Sequence, residues 1–138
     1  METSLRTLRI VRLVMLASIA LFSVIAYSVR LAPGQPEPAV LLAIGAVAIA
    51  DVGVILFFQK KVIARQSALL AKMPNDRTAL GRWYAGHVAV FAICEAIALF
   101  GFVLRYLGFA FVQVAPFLLA GFGLMFFFGP KPPSSAIG

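Results

Sequence analysis

Residues 85–104 read AGHVAVFAICEAIALFGFVL. Twenty residues of α-helix rise about 30 Å, which matches the hydrocarbon core of a bilayer. The stretch is apolar apart from His87 and Glu95, and Glu95 sits near its middle. A charged side chain at that depth costs about 2.5–3.5 kcal/mol on insertion scales, so it requires a partner, a proton or a function.

The rest of the chain repeats the pattern around this stretch. The 138 residues are 62% hydrophobic, with a mean hydropathy of +1.01. Soluble domains are about 45–50% apolar, and the excess here is concentrated in blocks. Those blocks predict spans at about 10–29, 38–58, 83–104 and 109–128, hence an all-α, integral membrane four-helix bundle occupying residues 1–138 as one domain. Arg6, Arg9 and Arg12, at the start of the first block, resemble a signal-peptide n-region. The block is long for an h-region and no A-x-A site follows, so it reads as an uncleaved span. Prolines 33, 36 and 38 separate spans one and two. Pro116 is expected to kink span four, and the Pro/Ser-rich tail 129–138 to be disordered.

Residues 59–82 form the one long polar connection. Its first part, KKVIARQSALLAK, reads as a helical extension of span two. Val62, Ile63, Leu69 and Leu70 are expected to lie on the membrane surface, with Lys60, Lys61, Arg65 and Lys72 facing anionic lipid headgroups. MPND (73–76) is a turn signal, and Asn75 or Asp76 is expected to cap the next helix.

The amino terminus, this connection and the tail hold Arg6, Arg9, Arg12, Lys60, Lys61, Arg65, Lys72, Arg77, Arg82 and Lys131. The two remaining loops hold Arg30 and Arg105. By the positive-inside rule both termini are expected in the cytoplasm of a bacterial inner membrane. Trp83 and Tyr84 then fall at the inner boundary, and Tyr27 and Tyr106 near the outer one, as an aromatic belt. The net charge of +7 thus reads as topology rather than nucleic-acid binding.

No P-loop, GxSxG, HExxH or CxxC is present, so no motif supports an enzyme. One His and one Cys do not make a structural metal site, and no cofactor is expected. Small residues recur at helical spacing: Ala39, Ala43, Ala46, Ala50 and Gly53 in span two, and Ala85, Ala89, Ala92 and Ala96 in span three. Such stripes let membrane helices approach closely, and the expectation is that these do so. Glu95 lies about 80° from its stripe and Asp51 about 120° from its own. If the stripes face each other, the two acids point apart. His87 lies about 12 Å nearer the cytoplasm than Glu95 and shares a face with Cys94, opposite the small residues. Glu95, Asp51 and His87 are the proton-binding candidates, but the three do not share one face.

Two pieces of sequence, AIGAVAIADVGVILFFQKKVIARQ (43–66) and CEAIALFGFVL (94–104), give the stretch 40–106 a resemblance to the proteolipid, subunit c, of rotary ATP synthases. In that family a small-residue helix leads into a cytoplasmic loop containing Arg-Gln, and the second helix carries a carboxylate. Arg65 and Gln66 match the loop pair and Glu95 the carboxylate, so the resemblance implies a proton-binding Glu95. The sequence departs from the family in having alanines for the repeated glycines, Asp51 within the first helix, a longer loop, and two further spans. The favoured expectation is a small structural or accessory subunit, packing as a homo-oligomer or within a larger membrane complex. The alternative is a proton-linked carrier using Glu95.

Overall fold

A computed structural model describes residues 2–28 and 37–131. Among them the order is α1 (Glu2–Ser28), α2 (Pro38–Phe57), a π-helical segment (Phe58–Ile63), α3 (Ala64–Lys72), α4 (Arg77–Tyr106) and α5 (Phe111–Phe127). The expected four apolar helices are present. Three helical runs, Glu2–Ser28, Pro38–Lys72 and Arg77–Tyr106, are long and apolar enough to cross a membrane; α5 is apolar and shorter, at 17 residues. The basic residues 2–9, expected as a flank, are the first turns of α1. The expected tail falls mostly outside the described residues.

Local chemistry fixes the boundaries. Pro38 opens α2, where its missing N–H costs nothing. Asp76 caps α4, its carboxylate accepting from the N–H groups of Thr78 at 3.0 Å and Ala79 at 3.1 Å. α4 ends in a Schellman turn. Phe109 N–H donates to Leu104 O, Gly108 N–H donates to Arg105 O, and Gly108 takes φ 104°. Leu104 and Phe109, both buried, close the hydrophobic contact that accompanies this turn. Pro116 lies inside α5, which runs through it unbroken.

The π-helical segment shifts the register of buried residues along the α2–α3 rod by one. Above it Ala48 and Ile55 are buried, seven residues apart; Ile63, its last residue, and Gln66 and Leu70 of α3 are buried next. The step from 55 to 63 is one residue longer than two α-turns, which the wider π turn absorbs. Ile63 then sits against Gly86 of α4. Ile63 and Leu70 were expected on the membrane surface. They face into the protein instead, because α3 continues the rod alongside α4 and buries its apolar side there.

α4 is the axis, with eleven buried residues from Ala79 to Leu104. It packs most extensively on α5, next on α1, and more lightly on α2. Two glycines set the α4–α5 distance. A Cβ on Gly121 would lie 2.6 Å from Cys94 O and 2.8 Å from Ala98 Cβ; one on Gly101 would lie 2.9 Å from Phe117 Cβ. Aromatic rings tie the Tyr106 end together, with Phe22–Phe102 centroids at 5.3 Å, Phe102–Tyr106 at 4.9 Å and Tyr27–Phe111 at 5.3 Å. At that end Arg105 donates from Nε to Ala26 O at 3.0 Å and from Nη1 to Phe109 O at 2.9 Å. The guanidinium thus satisfies a carbonyl in the last turn of α1, where a cation also complements the helix dipole.

The small-residue stripes do not form the close contact expected of them within the chain. Ala39, Ala43, Ala46, Ala50 and Gly53 are all exposed, and no atom lies within 4 Å of a Cβ built on Gly53. Ala85 and Ala92 are exposed, and Ala89 and Ala96 half-buried. Both stripes lie on the side of their helix opposite its buried residues. α4 is small on two sides, and the side carrying Cys94, Ala98 and Gly101 wins because α5 and α1 bring larger apolar partners to it.

Candidate functional site: a carboxyl between two helices

α1 carries four hydroxyls whose partners can be compared. Thr7, Ser23 and Ser28 donate to carbonyls four residues back in their own helix, Thr3 O, Ile19 O and Val24 O. Ser18 does not. Its Oγ donates across to Glu95 Oε1 at 3.0 Å. Ser18 lies near the middle of α1 and Glu95 near the middle of the apolar part of α4, so two mid-helix polar groups meet. Glu95 is half-buried and forms no ion pair with a described residue. Ser18 was not singled out from the sequence; its one signal is a lone hydroxyl at the depth of the carboxyl.

The other candidates lie elsewhere. Asp51, on α2, is half-buried and hydrogen-bonds to no described residue. His87 is buried at 3% exposure on the Cys94 face, as its spacing predicts. Its Nδ1 donates to Trp83 O at 3.1 Å, since a carbonyl can only accept. Its ring lies tilted against Trp83 with centroids 4.6 Å apart and meets Phe91 edge-on at 6.2 Å. No hydrogen bond joins His87, Asp51 and Glu95 among the described residues. What the site offers chemically is one carboxyl held by one hydroxyl across two helices.

Most of the basic groups among the described residues, Arg105 excepted, are gathered at one end. The cleft that Thr3 and Thr7 share with Arg77 and Tyr84 brings the starts of α1 and α4 together. Arg12 reaches Gly129 and lies 6.0 Å from the ring of Phe126, which brings the end of α5 to the same side. Lys60, Lys61, Arg65 and Lys72 are all exposed there. Searches against protein-family models, curated proteins and solved structures found no match for this chain.

Proposed function

We propose that the chain is a small multi-pass subunit of the bacterial inner membrane that packs through the outer face of α2 against a second copy or a larger membrane complex. One observation carries this reading: α2 buries only Ala48 and Ile55 in its own chain and leaves its small-residue stripe uncovered. Small residues on a membrane helix allow another helix to approach to backbone contact, where dispersion and weak polar contacts accumulate. α1, α4 and α5 hold together without that face, through Gly101, Gly121 and Arg105. Bulk added at Ala46 is therefore expected to abolish association while the helical content stays unchanged.

The orientation proposed is both termini cytoplasmic. Ten of the twelve Lys and Arg residues lie in the amino terminus, the 59–82 connection and the tail, and Arg105 on the opposite side is engaged in holding α1. Lys60, Lys61, Arg65 and Lys72 would then meet anionic headgroups. Cys94 is fully buried, so its thiol is expected to stay unlabelled. A cysteine placed at Gly108 is expected to react with an impermeant maleimide on intact cells, and one at Asn75 only after lysis. Labelling of Asn75→Cys on intact cells would reject this orientation.

A second reading makes Glu95 a proton carrier, and the cross-helix Ser18 bond favours it, because it holds a titratable group at mid-helix in a fixed place. Glu95→Gln keeps the shape and still accepts from Ser18, but it does not titrate. A structural Glu95 predicts a variant that assembles and supports growth like the original. A proton-carrying Glu95 predicts normal assembly with loss of the pH-dependent activity. A variant that fails to accumulate would contradict both versions.

A further inference from the structure

At the basic end, the first turns of α1 and α4 line an open cleft of about 370 Å³. Its lining includes Thr3, Ser4 and Thr7 from α1 and Arg77, Gly81 and Tyr84 from α4. This gives four hydroxyls and one guanidinium on facing walls, and no carboxylate lines it. The nearest acid along α4, Asp76, has its carboxylate turned onto the N–H groups of Thr78 and Ala79. Arg77 makes no hydrogen bond or ion pair with a described residue. No atom lies within 4 Å of a Cβ built on Gly81, so the α4 wall is open at that point.

We infer that this cleft seats a phosphate group, and that its source is the headgroup of an anionic lipid. An unpaired guanidinium presents a planar fork of donors that matches phosphate oxygens, and the hydroxyls of Thr3, Ser4 and Tyr84 supply the remaining hydrogen bonds, Thr7 being committed to Thr3 O. Tyr84 places the cleft at the level of the inner aromatic belt, where lipid phosphates lie. This goes beyond general attraction to basic side chains, because the cleft has a shape that can be filled. It rests on the membrane orientation above and not on what covers α2.

The test uses the full chain in mild detergent, with bound phosphatidylglycerol counted by native mass spectrometry. Arg77→Gln is expected to lower lipid retention about tenfold, the value of one charge-assisted hydrogen bond. Gly81→Leu changes no charge but fills the cleft, and is expected to lower retention as much. Lys72→Gln, on the exposed side of α3, is expected to do far less. Unchanged binding by Gly81→Leu, or equal losses in Arg77→Gln and Lys72→Gln, would overturn the inference in favour of diffuse attraction. Inorganic phosphate separates the sources. If it displaces the lipid from the unmodified chain, the seat also accepts free phosphate; if it does not, the acyl chains are required and the ligand is a lipid. Circular dichroism checks that each variant keeps its helices.

Discussion

Gly121→Val is expected to separate α4 from α5 and to cost about 1–3 kcal/mol or more, as overpacking of a close contact does. The atoms in the way are Cys94 O at 2.6 Å, Ala98 Cβ at 2.8 Å and Ala98 N at 3.0 Å. Two of them are backbone, so no rotamer change makes room and the helices must move apart. That movement would spread along the α4–α5 contact, the most extensive in the chain. The neighbouring Gly123 supplies the control, because a Cβ there meets nothing within 4 Å. Gly123→Ala should be neutral or should stabilise by up to about 1 kcal/mol through reduced chain entropy. Thermal unfolding in detergent, followed by circular dichroism, compares the pair. Equal behaviour of the two variants would mean that α5 does not lie on α4 as described.

Trp83→Ala should be similarly damaging, by about 3–5 kcal/mol, the range for truncating a fully buried Trp. Trp83 is 0% exposed and belongs to the same buried cluster as Leu70 of α3 and Ile63 before it. Ile63 lies against Gly86 there, and Gln66 and Leu70 of α3 and Ala79 and Trp83 of α4 are all buried. Losing the indole would undermine α3, whose nine residues are too few to stay helical without packing. Faster tryptic cleavage at Arg65 and Lys72 would report that loosening. Trp83→Phe should cost far less, under about 1.5 kcal/mol, because Trp83 Nε1 has no hydrogen-bond partner to lose. A Phe variant as unstable as the Ala variant would show that the indole N–H is bonded after all.

The helices themselves were legible because apolar blocks of bilayer length admit no other regular structure, and Asp76 and Pro38 mark starts by well-understood chemistry. Which side of each helix faces inward was much less legible. α4 has small residues at 85, 89, 92 and 96 and again at 86, 94, 98 and 101, so periodicity alone offers two opposite contact faces. The choice depends on Gly121 and Phe117 of α5, more than fifteen residues further along the chain. The π-helical segment was equally hidden, since FQKKVI has no marker that distinguishes it from α-helix. Its effect, the inward turn of Ile63 and Leu70, followed from it. Glu95 was legible as an oddity of composition. Ser18 was not, because its importance lies in a bond across 77 residues of sequence. Arg105 looked like an exception to the charge asymmetry and proves to be an anchor for the last turn of α1.

The claim that α2 presents an interface is tested most directly by cross-linking in native membranes. Single cysteines at Ala43, Ala46 and Ala50 probe the uncovered stripe. Cysteines at Val112 and Leu119, which are 82% and 70% exposed on α5, probe a surface with no proposed partner. Under mild oxidation or a short bis-maleimide, the account predicts adducts from the three stripe positions, either to a second copy or to one larger protein. It predicts few from the two α5 positions, and loss of the Ala50→Cys adduct when Ala46→Leu is added. Adducts no more frequent from the stripe than from α5, or unaffected by Ala46→Leu, would contradict it and leave the stripe facing lipid.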